Sequence, residues 1–101
     1  MLKNSVKRKI QIRDNYICQY CGKDGLESAL VWHQTAVDHF NPRLKAPERN
    51  AEENLKTACE YCNSLKGHRK FDTMENAKAY LEKRKNKLHE EFLKVKKATR
   101  G

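Results

Sequence analysis

Three features of this 101-residue chain predict a small α+β domain stapled by a metal. All four cysteines fall in two C-x-x-C pairs, Cys18 with Cys21 and Cys59 with Cys62. Short runs rich in β-branched and aromatic residues lie between the pairs, and amphipathic helical patterns flank them on both sides. With 38% hydrophobic and 35% charged residues, the chain has little apolar surface to bury. Ordering a backbone costs roughly 1–2 kcal/mol per residue, so a core this thin calls for a metal or disulfides.

The elements follow in order. From Leu2 to Arg13, apolar residues at Leu2, Val6 and Ile10 recur every four positions, and Lys3, Lys7, Arg8, Lys9 and Arg13 make the other positions basic, which predicts a short amphipathic helix ended by Asp14-Asn15. Cys18 to Gly25 reads as a tight knuckle, with Gly22 and Gly25 supplying left-handed backbone. Ala29 to Trp32 and Thr35 to Phe40 read as two strands of a hairpin or bent ribbon, the second ended by Asn41-Pro42. Arg43 to Glu53 is a polar surface loop with a helical turn in it. A brief extended piece, Asn54 to Thr57, leads into a helix that starts near Cys59. The last segment is a long amphipathic helix, about residues 73–98, with Asp72 and Glu75 forming a capping box.

Composition narrows the function classes. The opening residues MLKNSVKRKIQIRDN lack the apolar run of a secretory signal, and no stretch approaches the ~20 apolar residues of a membrane span. A cytoplasmic, reducing location is the expectation, and there paired cysteines bind metal more often than they form disulfides. Two C-x-x-C knuckles separated by 37 residues supply four soft thiolates, which suit tetrahedral Zn²⁺; its apparent binding free energy of about 10–16 kcal/mol is folding energy where no site exists in the unfolded chain. Iron in a rubredoxin-like site uses similar paired spacing. A thioredoxin-like redox pair would need a βαβ context that is absent, and two disulfides would need an export signal. The formal net charge of +9 favours a nucleic-acid partner through counterion release, although basicity also serves solubility.

Between and across the cysteine pairs run AVDHFNPR at residues 36 to 43 and ENLKTACEYCNSLKG at residues 53 to 67. This ordered set, C-x-x-C, Asp-His-x-x-Pro, Glu-Asn-Leu and C-x-x-C-Asn-x-x-Lys-Gly, resembles the small zinc-containing HNH endonucleases of bacteria and phages. The resemblance covers roughly residues 13 to 71, and its pieces are weak singly but specific in combination. It implies a ββα-metal (HNH, His-Me finger) unit stapled by a four-cysteine zinc site and flanked by N-terminal and C-terminal helices, all in one nuclease domain over residues 1–101. The implied activity is hydrolysis of DNA phosphodiester bonds, by nicking or weakly specific double-strand cleavage.

The chemistry agrees with that resemblance. Phosphodiester hydrolysis needs a cation to stabilise charge on phosphate and leaving oxygen, and a base to deprotonate water. Asp38 offers a hard oxygen for Mg²⁺ or Mn²⁺, and His39 is the side-chain type best suited to accept the proton at cytosolic pH. Asn63, directly after Cys62, is placed to supply a second ligand for the catalytic ion, with His68 as the alternative ligand. In the family the residue at Asn54 braces the loop that carries the base. Many members have a Gly-Gly pair after the Pro, where this chain has RLKAPERNAEE. Adjacent strand residues point to opposite faces, so Asp38 and His39 can serve one phosphate only if the strand ends or bends there.

The remaining features have plainer readings. Trp32, Phe40 and Phe71 are expected in the core, His33 packed on a strand, Tyr20 and Tyr61 over the zinc, and His89 on a solvated helix face. Arg43, Lys66, Arg69 and Lys70 are candidates for phosphate contacts, and the basic last helix for the nucleic-acid backbone. Its apolar stripe is sufficient for a homodimer and equally for packing on its own domain. Without catalysis, the same knuckles and charge would make a zinc-stabilised module that binds nucleic acid or a partner, as an accessory to a larger phage packaging or restriction complex. The trio Asp38, His39 and Asn63 separates the two readings, because a binding module has no need of it.

Overall fold

The computed structural model describes residues 2–101, and Met1 lies outside it. The chain forms α1 (Asn4–Arg13), α2 (Ala29–Gln34), β1 (Ala36–His39), two 3-10 turns (Glu48–Asn50 and Glu52–Asn54), β2 (Leu55–Ala58), α3 (Glu60–Lys66) and α4 (Met74–Arg100). This is the expected α+β arrangement: a two-stranded antiparallel ribbon with α3 behind it and helices at either end.

Helix α1 buries Ile10 and leaves Arg8, Lys9 and Arg13 exposed, with Lys7 half-buried. Its last residues do more than end it. Arg13 donates to the carbonyls of Glu52 and Leu55 at 2.8 and 2.6 Å, while the Asp14 carboxylate accepts from the amide of Thr57 at 2.9 Å. The Arg13–Asp14 pair thereby fastens α1 to β2, an anchor that helical periodicity alone does not announce.

The knuckle follows. The amide of Gly22 donates to the Cys18 carbonyl at 2.8 Å, and Gly22 takes φ +80°, the left-handed turn expected of it. Gly25 is small for a different reason from the one expected. Its φ is not left-handed; instead its backbone is pressed against Tyr16 and Thr35, and an added Cβ would lie 2.5 Å from the Tyr16 carbonyl oxygen.

The expected hairpin is replaced by a helix and a strand. Ala29–Gln34 is helical because the Ser28 side chain caps it, accepting from the Val31 amide at 3.1 Å, a local signal that outweighs the β-branched and aromatic content of the run. Trp32 and His33 consequently stand exposed on α2 rather than packed on a strand. The partner of β1 is the later extended piece: Ala36 faces Ala58, Val37 faces Thr57, Asp38 faces Lys56 and His39 faces Leu55. A long loop carrying both 3-10 turns separates the two strands, so the pairing is non-local.

Helix α3 begins at the second cysteine pair, with the Cys59 sulfur accepting from the Cys62 amide at 3.4 Å as its cap. Gly67 at φ +56° ends it. The cap of α4 is Thr73, one residue later than the Asp72 of the expected capping box; its hydroxyl accepts from the Asn76 amide at 3.1 Å. Ala77 and Leu81 of α4 enter a buried cluster with Cys18, Tyr20, Ala58, Cys59 and Cys62, rimmed by Phe40, Leu65, Phe71, Met74 and Tyr80. The 27 residues of α4 make a rod of about 40 Å at 1.5 Å per residue, so this helix outruns the core and sets the 51 Å long axis. Phe92 and Val95 on its far half are exposed.

Gly25→Ala is expected to lower unfolding free energy by about 1–3 kcal/mol, the usual cost of forcing atoms into a filled space, whereas a denaturation midpoint equal to wild type would show that the Tyr16–Thr35 contact yields freely.

Candidate metal centre and active site

The four cysteine sulfurs all lie within 4.8 Å of one another, and among the described residues no other group of three or more His, Cys, Asp or Glu ligand atoms converges in this way. Zinc at about 2.3 Å from each thiolate in a tetrahedron requires sulfurs about 3.8 Å apart. The Cys21 and Cys59 sulfurs are 3.7 Å apart, so the donor set fits the ion in identity and spacing. Cys18, Cys59 and Cys62 are buried and Cys21 is exposed. Four thiolates around a divalent ion leave excess negative charge, and α4 answers it: Lys85 Nζ is 3.0 Å from the Cys62 sulfur and 5.0 Å from the centre of the Tyr61 ring. Tyr61, half exposed, stands beside the centre through this Lys85 contact.

Tyr20, between the first two cysteines, reaches from this centre to Asp38. Only 6% exposed, Asp38 receives the Tyr20 hydroxyl at 2.6 Å and the Lys66 ammonium at 3.1 Å, both on Oδ2. Burial, and then the charge of Asp38, push the Tyr20 pKa up, which keeps its hydroxyl a donor. Lys66 also donates to the His39 carbonyl at 3.1 Å.

Lys66 therefore cannot be the phosphate contact expected of it. Its side chain is fully buried and its ammonium is committed to β1. The spacing of Cys59, Cys62 and Lys66, at three and four residues, places all three on the inward stripe of α3, a signal present in the sequence that the charge of the lysine obscures. Arg43, Arg69 and Lys70 are exposed, with the Arg69 guanidinium resting 5.0 Å above the Tyr80 ring.

His39 is the last residue of β1, and the chain bends at Phe40 and Asn41. Its ring stands at the rim of the ribbon with Nε2 at 2.8 Å from Asn50 Oδ1. Oδ1 can only accept, so this bond is made by a proton on Nε2, and Nδ1 lies outside it. Asn54 ties down the loop between His39 and Asn50: its Oδ1 accepts from the Asn41 amide at 2.8 Å, and its Nδ2 donates to the carbonyls of Asn41 and Arg49 at 3.1 and 2.8 Å.

Asn63 lies half-buried on α3, one turn before Lys66. Helix residues three apart have Cβ atoms about 5–6 Å from each other, so Asn63 occupies the side of α3 from which Lys66 reaches Asp38. His68 is exposed, in the turn beyond Gly67. The residues absent from the sequence reading are Tyr20 in its hydrogen-bonding role, Asn50 and Lys85. Nothing in the local pattern marks the Tyr20 hydroxyl or the Asn50 amide, because each meets its partner only after the chain has folded back.

Replacing Lys66 by Met keeps the stem and removes the charge, leaving the Asp38 carboxylate buried without its cation. A loss of about 3–5 kcal/mol of stability is expected, measured by urea unfolding, with no weakening of duplex DNA binding by the folded fraction. Unchanged stability with lost DNA binding would return Lys66 to the surface role.

Comparison with known proteins gives a family assignment. The family model for HNH endonucleases matches residues 18–69. No curated protein and no solved structure matches the chain. The matched segment is just over half of the 101 residues and spans both cysteine pairs, Asp38, His39, Asn54 and Asn63. With the cysteine cluster and the ribbon-plus-helix geometry beside it, the match shows that this chain belongs to the HNH endonuclease family.

Proposed function

We propose that the protein is a metal-dependent endonuclease that hydrolyses phosphodiester bonds of DNA, with His39 as general base. The observation that carries this reading is the oriented imidazole at the end of β1: Nε2 is held by Asn50, Nδ1 lies outside that bond, and the neighbouring residue is a carboxylate fixed in place. General-base catalysis of this kind contributes typically about 10²–10⁴-fold.

Asp38 and Asn63 are the residues that would hold the catalytic divalent ion. Both offer hard oxygen, and Mg²⁺ sites of this type use one or two protein ligands with water and substrate phosphate filling the rest. When bound, the ion neutralises charge developing on the phosphate and the leaving oxygen. The chain's own residues do the remainder. Asn50 orients the base, Asn54 keeps the loop bearing Asn50 against the end of β1, and the exposed Arg43, Arg69 and Lys70 attract the DNA backbone. Contacts of this kind read charge rather than bases, which favours nicking or weakly specific cleavage. The cysteine cluster is read as structural zinc, and residues 1–101 as one nuclease domain.

Purified protein incubated with supercoiled plasmid and Mg²⁺ or Mn²⁺ is expected to convert it to the open-circular form, with His39→Ala slower by about 10²-fold or more at unchanged zinc content. Equal rates for the two proteins, or no conversion by either while DNA binding persists, would leave a binding module as the better description.

A further inference from the structure

The Tyr20 hydroxyl connects two sites that the sequence treats separately. Tyr20 stands between Cys18 and Cys21, is 5% exposed, and reaches from the knuckle to Asp38 Oδ2 at 2.6 Å. Its backbone has little freedom. The neighbouring Gln19 amide donates to the Thr57 carbonyl of β2 at 2.9 Å, the Cys18 amide to the Lys23 carbonyl at 2.9 Å, and the flanking cysteines belong to the sulfur cluster. From the other direction, Lys66 meets the same Oδ2 at 3.1 Å, carried on a helix that starts at the second cysteine pair. Asp38 is thus gripped on one oxygen by two donors, each borne by a segment rooted in one C-x-x-C pair. The grip fixes the carboxylate's rotation and leaves Oδ1 outside it.

We propose that Tyr20 is a positioning residue for Asp38, so that the zinc knuckle sets the affinity of the catalytic divalent ion as well as holding the fold. The proposal rests on the reading of Asp38 as a ligand of that ion. Groups that hydrogen-bond to a metal-ligating side chain typically govern about 10- to 100-fold in metal affinity, because an unheld carboxylate must be oriented anew each time the ion binds. Tyr20 is buried, and its hydroxyl acts through Asp38. Tyr20→Phe deletes one oxygen and keeps the ring that packs in the buried cluster.

The test is Mn²⁺ binding to the zinc-loaded full chain, followed by the electron paramagnetic resonance signal of free Mn²⁺. Tyr20→Phe is expected to retain one zinc per chain and the wild-type circular dichroism spectrum, to bind Mn²⁺ about 10- to 100-fold more weakly, and to recover plasmid nicking as Mn²⁺ is raised. Wild-type Mn²⁺ affinity in the variant overturns the positioning role while leaving the endonuclease reading intact. No Mn²⁺ binding by the wild-type chain itself overturns both. Should the variant lose zinc, the wild-type protein still decides the matter. The ¹³Cζ resonance of Tyr20 is expected to shift on Mg²⁺ addition and to saturate with ion binding, and a resonance that stays fixed while the site fills overturns the proposal.

Discussion

Four thiolates drawn to within 4.8 Å of one another are the constraint on which the rest of this molecule depends. They join two distant segments of the chain and start α3, whose cap is the Cys59 sulfur. The apolar core around them is slight: Ala58, Ala77 and Leu81 are its fully buried aliphatic members, with Tyr20 completing it. Burial of that size does not repay the entropy of ordering the whole chain. Metal binding worth about 10–16 kcal/mol in apparent free energy changes the balance. Lys85 adds α4 to the same centre by placing its ammonium 3.0 Å from the Cys62 sulfur, so the long helix is held by charge as well as by packing.

What the centre organises is a short polar path. Tyr20 leads from the first cysteine pair to Asp38, and Lys66 leads from the second pair to Asp38 and to the carbonyl of His39. A buried carboxylate, ammonium and phenol would be costly apart, but each here satisfies another. The rim of the ribbon is organised differently. His39 and Asn50 meet at the surface, and Asn54 holds the loop between them with three hydrogen bonds. A rigid interior therefore supports a half-buried imidazole at the edge of the ribbon.

Much of this was legible in the sequence. Cysteine spacing reports metal chemistry directly, and the four-residue periodicity of Val6 and Ile10 or of Ala77 and Leu81 reports helices whose inward stripes reach the core at Ile10, Ala77 and Leu81. The strand of Asp38 was also readable, expected over Thr35 to Phe40 before Asn41-Pro42 and found over Ala36–His39. The misreadings share one physical cause, local composition set against context. Ala29–Gln34 has strand-like residues, yet one serine cap turns it into a helix and sends Trp32 to the surface. Lys66 looked like a phosphate ligand because lysine usually lies in water, but a carboxylate waits for it across the fold. The contact of Tyr20 with Asp38 joins residues 18 apart in sequence through a folded knuckle, and no short window of sequence contains it.

The central claim, that the metal centre holds the ribbon bearing the site, is tested most directly by amide hydrogen exchange with and without the metal. Removal of the ion by a chelator, with the thiols kept reduced, is predicted to expose the amides of Gln19, Phe40 and Thr57, which are bonded to Thr57, Asn54 and Asp14, to exchange at rates near those of an unfolded chain. Retention of their protection in the metal-free protein would contradict the account.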